Sequence, residues 1–342
     1  MHTHCDIDTM HTHCQRRCLM GRRFRRVAAV GLAATAVLAG VGAYLLRDPS
    51  PVGYWRSAAA RATYLERYDR AFRDLPAPAE TRDVRTGFGV VRAYRFGTPR
   101  PGTAPILLVP GRSSGVPMWA DVLARLQDRE VYAVDALGDA GMSVQDRPLA
   151  GVEDQATWLA ETMTTLGLSR AHLVGHSFGA WTAANFAARY PGRVATLTLW
   201  EPVLVFAGMR WQMYAATLPS ALPFLPESWR RKGLASIGGA DGADVTAGPV
   251  GAMIDAGAAG YRAALPMPVQ LDDAALARLT MPVFVGLGGG SAVTDTAAAA
   301  ARARTLPDAT VRVWPDGTHS LPMEYSDELL AELSTLQARH PA

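Results

Sequence analysis

Gly175-His176-Ser177-Phe178-Gly179 sets a hydroxyl between two glycines where an apolar run at 171–175 gives way to a helical pattern at 178–190. A sharp strand-to-helix turn of this kind lifts the serine oxygen above the strand ends, and small residues on either side let the strained turn close. Backbone N–H groups at the start of the helix then favour developing negative charge. The pattern points to Ser177 as a nucleophile; the alternative is a tight turn whose small residues serve packing only. A serine hydroxyl also needs a base to take its proton. Of the eight histidines, His2, His4, His11 and His13 lie near the start, His340 lies near the end, His172 begins the apolar run, and His176 sits inside the turn. His319 remains. It lies in the loop Pro315-Asp-Gly-Thr-His-Ser-Leu-Pro-Met-Glu324, behind the serine in chain order, which makes it the candidate base rather than a solvated loop histidine.

These residues need a scaffold, and the hydropathy pattern supplies one. Expected strands at 84–96 (a pair around Gly87–Gly89), 106–109, 131–135, 171–175, 194–200, 283–287 and 310–314 alternate with expected helices at 119–126, 153–166, 178–190, 296–306 and 326–338. Short apolar strands alternating with helices predict an α/β fold, a mainly parallel sheet covered by helices on both faces. The rhythm breaks over about 202–280. Eighty residues are too many for one loop in a compact domain, so an inserted helical cap is expected there. The expected hydrolytic domain therefore runs over 81–342, preceded at 47–80 by a linker and an amphipathic helix (54–75) that presents Tyr64, Leu65, Tyr68, Phe72 and Leu75 on one face.

At 342 residues, 49% apolar and 19% charged, the chain is long enough for a large core and far from the composition of a disordered protein. The net charge of +3 is local: seven arginines and two aspartates up to Arg47 leave the remainder slightly acidic, so no nucleic-acid partner is implied. Cys5, Cys14 and Cys18 all precede the core, which must fold without a disulfide. Residues 1–26 read as a basic cytoplasmic tail. Residues 27–46 carry no charge and are long enough, at about 1.5 Å rise per residue, to cross a bilayer. The expectation is a single-pass membrane anchor with the catalytic part outside, the alternative being a cleaved signal sequence. The repeated Met-His-Thr-His-Cys at 1–5 and 10–14 has metal-ligand chemistry, but short tracts of this kind are more often compositional, and no metal is assigned.

The Gly-His-Ser-Phe-Gly turn, with VYAVDALGDAGMS at 131–143 and YPGRVATLTL at 190–199, resembles esterase-type members of the α/β-hydrolase superfamily from about residue 84 to the C-terminus. The resemblance implies an oxyanion hole made by the backbone N–H groups of Arg112 and Phe178. The oxyanion loop reads Pro110-Gly111-Arg112-Ser113-Ser114 where relatives begin His-Gly, and Asp139 stands where many relatives carry histidine; Asp135 and Asp139 are read as loop-fixing. The resemblance also implies an aspartate after the strand at 283–287, where this chain has Gly288-Gly289-Gly290-Ser291. Two carboxylates could substitute: Glu201, just after the strand at 194–200, and Asp295, four residues beyond the usual site. Glu201 is preferred. The implied activity is that of a carboxylesterase acting on a small-molecule ester with a hydrophobic part, without a cofactor. The same residues would also suit a thioester, a lactone, a carbon–carbon bond or peroxide as the attacking species, and an inactive hydrolase fold kept as a binding module is the non-enzymatic alternative.

Overall fold

Ile106-Leu-Leu-Val109 is apolar at every position because the strand it forms is covered on both faces, and all four side chains are buried. The computed structural model describes residues 50–211, 213, 232, 248–266 and 268–341, together with Ala36. Residues Ser50–Ala342 form one unit and Met1–Pro49 another. In chain order the elements of the larger unit are β1 (Tyr54–Trp55), α1 (Ala58–Phe72), β2 (Glu80–Thr86), β3 (Gly89–Phe96), β4 (Ile106–Val109), α2 (Ala120–Arg125), β5 (Val131–Val134), β6 (Val144–Gln145), α3 (Val152–Thr165), β7 (Ala171–His176), α4 (Phe178–Arg189), β8 (Val194–Trp200), α5 (Pro249–Gly260), β9 (Tyr261–Arg262), α6 (Asp273–Leu276), β10 (Val283–Gly288), α7 (Thr296–Ala303), β11 (Ala309–Trp314), α8 (Leu321–Glu324) and α9 (Ser326–Arg339).

The main sheet runs β11-β10-β8-β7-β4-β5-β3-β2, with β6 beside β3. Neighbours from β5 to β11 are parallel, while β3 is antiparallel to β2, β5 and β6. Alternate side chains of each strand enter different cores. Leu107, Leu173, Leu197 and Val285 pack with Trp158 of α3 and Phe186 of α4 on one face. Ile106, Leu108, Val174 and Phe284 pack with Trp119, Leu329 and Leu333 on the other. Trp119, Trp158 and Trp200 are fully buried, and burial of a large apolar side chain contributes about 1.5–3 kcal/mol; Trp158 ties α3 to one face of the sheet, and Trp119, at the start of α2, packs on Trp200 of β8 at the other. The fold is therefore the expected α/β-hydrolase fold, a mostly parallel sheet flanked by helices.

Two expectations change, and others fall outside the described residues. The helix expected at 54–75 is shorter, because Ser57 caps it by accepting from Ala60 N, and Tyr54–Trp55 pairs instead with β9. Its tyrosine face lies on its own domain: Tyr64, Tyr68 and Ala71 form a third core with Met253 and Ala256 of α5. Next, among the described residues no helix is long and apolar enough to cross a membrane. On that finding the transmembrane anchor is withdrawn, and with it the cell-membrane, single-pass location and the membrane as a partner; residues 27–46 lie, Ala36 apart, outside the described residues. Finally, much of the expected cap (212, 214–231, 233–247 and 267) also lies outside them, as do the His/Cys repeat and the tail.

Candidate active site

The four segments that carry the site follow β7, β8, β10 and β11, which are consecutive neighbours in the sheet, so their carboxyl ends deliver residues to one place. Trp200 pairs with His176 on one side and with Gly286 on the other, which sets Glu201 between the serine turn and the β10 turn.

Ser177 caps α4 with φ 56° and ψ −122°, a left-handed backbone that a non-glycine residue adopts at a cost of about 1–3 kcal/mol. The flanking glycines show why the turn needs them. A Cβ on Gly179 would stand 2.2 Å from the Val109 carbonyl oxygen, and one on Gly175 would stand 2.5 Å from the Gly179 carbonyl oxygen. Both contacts are with backbone, which cannot yield.

The Ser177 Oγ lies 2.8 Å from His319 Nε2, and His319 Nδ1 lies 3.0 Å from Glu201 Oε2. A carboxylate only accepts, so the imidazole proton belongs on Nδ1, and the Nε2 lone pair faces the serine hydroxyl. All three residues are buried. Glu201 also has a left-handed backbone, with φ 48°. Asp295, the other candidate acid, accepts from Ala298 N at 3.0 Å and caps α7. Its carboxylate is thus committed to a helix end, and Glu201 is the carboxylate against His319.

His176, a residue that in the sequence merely sits inside the turn, tethers the His319 backbone: its Nε2 meets the His319 carbonyl oxygen at 2.9 Å. Burial, with the adjacent His319 adding to it, pushes the His176 imidazole down to about 3, so it stays neutral and donates from Nε2. Gly111 packs against this ring, since a Cβ there would stand 2.9 Å from His176 Nδ1. The turn pattern Gly-x-Ser-x-Gly carries no signal for this role; only the folded loop reveals it.

The oxyanion-loop candidates flank the serine. Among the described residues no protein acceptor is bonded to the backbone N–H of Arg112 or of Phe178, which leaves both donors available. Asp139 Oδ2 accepts from Ser113 N at 2.7 Å and ties the loop down; Ser113 has φ 58°. Asp135 Oδ1 accepts from Val116 N at 2.7 Å, while its Oδ2 accepts from Met142 N at 2.7 Å and Tyr68 Oη at 3.0 Å. Complete burial pushes Asp135 up to about 6, against the pull of these hydrogen bonds. A mostly apolar pocket opens beside the loop, lined by Arg112, Leu137, Trp158, Phe178, Trp181 and Leu265 among others, and the Arg112 guanidinium lies over the Phe178 ring. Among the described residues no group of His, Cys, Asp or Glu could hold a metal ion.

Fold and turn together define a hydrolase of the α/β class. The sequence model of the alpha/beta hydrolase family matches residues 106–333, and the chain belongs to that family. It is 30% identical over 160 residues to carboxylesterase YbfK of Bacillus subtilis, covering 46% of this chain and 54% of that one. It is 26% identical over 156 residues to the uncharacterized carboxylesterase nap of the same organism, covering 45% and 51%. The matched stretch thus spans about half the length of these curated relatives. Among solved structures, naproxen esterase (carboxylesterase NP) from Bacillus subtilis superposes with a TM-score of 0.74 at 23% identity, over 82% of this chain and 99% of that one. Carboxylesterase CesB (YbfK) gives 0.74 at 22% identity, over 82% and 98%. At these identities the structural likeness speaks for the fold.

Proposed function

We propose that this protein is a serine carboxylesterase with Ser177 as nucleophile, His319 as general base and acid, and Glu201 as the acid that orients and charge-stabilises His319. The observation that carries the reading is the continuous chain from Ser177 Oγ through His319 to the Glu201 carboxylate, at 2.8 and 3.0 Å. In this reading His319 Nε2 takes the serine proton as Oγ attacks the ester carbonyl, and the oxyanion forms against the backbone N–H groups of Arg112 and Phe178. His319 then protonates the departing alkoxide. Water, deprotonated by the same imidazole, attacks the acyl-enzyme, and the carboxylic acid leaves Ser177 as the proton returns to it.

The pocket of Leu137, Trp158, Phe178, Trp181 and Leu265 supports a small-molecule ester with a hydrophobic part as substrate. Leu265, Pro266 and Pro268 of this pocket belong to the stretch at 202–280 for which a cap is proposed, much of which lies outside the described residues. The relatives named carboxylesterases lend the reading independent support. A fluorophosphonate probe tests it: the folded wild type is expected to label at Ser177 and S177A is expected not to. A folded wild type that neither labels nor hydrolyses p-nitrophenyl esters would overturn the proposal.

A further inference from the structure

Glu201 receives three donors on two oxygens. Oε1 accepts from Gly288 N at 2.5 Å, and Oε2 accepts both from Ser291 Oγ at 2.6 Å and from His319 Nδ1 at 3.0 Å. Ser291, in the turn after β10, is itself 1% exposed. Its hydroxyl oxygen also faces Val293 N at 3.4 Å, an N–H that can only donate to it. The hydroxyl proton is therefore left for the carboxylate, and Ser291 acts as donor.

A buried carboxylate needs such partners, because an unpaired charge removed from water is strongly disfavoured. It also needs direction. A glutamate side chain has one more rotatable bond than an aspartate, and the carboxylate plane turns about a soft terminal torsion. Left alone it would point either oxygen, or neither, at the imidazole. Gly288 N holds one oxygen and Ser291 Oγ the other, so the plane is fixed with Oε2 toward Nδ1. The hydroxyl suits this place because it supplies a proton without charge; a second carboxylate here would face Glu201 across a hydrogen-bond distance as a like charge.

From this geometry we infer that Ser291 is a positioning residue of the catalytic array: its hydroxyl fixes the Glu201 carboxylate so that Oε2 engages His319 Nδ1. The inference rests on the reading of Glu201 as the triad acid, and it adds a group from a fourth strand end to the three already proposed. Ser291 touches no reacting atom; it works through Glu201 and then through His319.

The test compares full-length S291A, S291T, S291C and E201Q with wild type. The readouts are steady-state hydrolysis of p-nitrophenyl butyrate, circular dichroism, and the downfield proton resonance of the His319 Nδ1–H. Losing a hydrogen bond to a charged group, S291A is expected to lower kcat about 10- to 100-fold with KM changed less than about twofold, and to shift the downfield resonance. S291T keeps the hydroxyl and is expected to recover most of the wild-type kcat and the resonance position. Should S291A fail to fold, S291C, similar in volume but a weak donor, is expected to give the same kcat loss and shift. An S291A protein (or S291C in its place) with wild-type kcat and an unmoved resonance would overturn the inference, as would equal impairment of S291A and S291T. E201Q separates this from the parent reading. If E201Q is crippled while S291A is normal, only the role of Ser291 fails; if E201Q keeps wild-type kcat, the triad acid is misassigned and the role of Ser291 falls with it.

Discussion

Glu201 and His319 are separated by 118 positions in the chain and by 3.0 Å between Oε2 and Nδ1. The contact exists because β8 lies between β7 and β10, so the residue following β8 emerges beside the serine turn and beneath the loop after β11. A carboxylate at this point can hold the imidazole with its Nδ1 proton inward and its Nε2 lone pair toward Ser177.

The two candidate acids should therefore separate under mutation. E201Q is expected to reduce kcat by about 100- to 10,000-fold, since an amide cannot stabilise the imidazolium by charge. D295N is expected to leave kcat near wild type and to cost at most about 1 kcal/mol through the α7 cap. Steady-state kinetics on both proteins, with urea unfolding of the second, checks the pair. A crippled D295N beside a normal E201Q would reverse the assignment.

Asp139 bears on the loop after β4, where the proposed oxyanion donor Arg112 lies, rather than on His319. Its Oδ2 holds Ser113 N at 2.7 Å, one residue from Arg112. D139A is expected to lower kcat about 10- to 100-fold by loosening that loop, with KM little changed. D139N keeps an acceptor oxygen and should lie between the two. Equal rates for D139A and wild type would mean that the loop holds its geometry without this bond.

The serine turn leaves no room for a methyl group. G179A would drive a Cβ to 2.2 Å from the Val109 carbonyl oxygen and 2.4 Å from that of Pro110. Overpacking against backbone is expected to cost about 3 kcal/mol or more, read as a lowered urea midpoint. A G179A protein as stable as wild type would show that the turn relaxes freely.

Stability should also respond to acid through His172, which packs against Thr196 in the core, with Nδ1 2.9 Å from the threonine hydroxyl. Burial first, and then the charge of Arg129, pushes this imidazole from 6.5 down to about 4. Below pH 6.5 the unfolded chain takes up a proton that the folded chain refuses, so the contribution of His172 is present above 6.5 and is lost as pH falls toward 4. H172N lacks this titration. The gap between its unfolding free energy and that of wild type should shift by about 3 kcal/mol across the window, in the direction of a wild type that weakens more steeply on acidification. Parallel pH profiles for the two proteins would show that the histidine titrates alike in both states.

Much of this architecture is local and was therefore legible in the amino-acid order. Ile106–Val109 and Val194–Trp200 declare themselves as strands because burial on both faces forces unbroken apolar runs. The turn at Ser177 declares itself because its two glycines answer to backbone contacts within a few residues or in the adjoining strand. The membrane-spanning expectation for 27–46 rested on the length of an uncharged stretch behind a basic tail, a one-dimensional reading, and no helix among the described residues bears it out.

What the sequence could not decide is which distant groups meet. Glu201 and Asp295 are both carboxylates near the carboxyl ends of strands, and nothing in their spacing says that one caps α7 while the other reaches His319. Ser291 reads as a lost acid until the sheet order brings its hydroxyl to Glu201, and His176 reads as filler until its ring meets the His319 carbonyl. Composition and periodicity fix what each segment becomes, because they reflect burial along the chain. Which side chains converge depends on the order of strands in the sheet, and that order is settled only when the two faces of the sheet are packed.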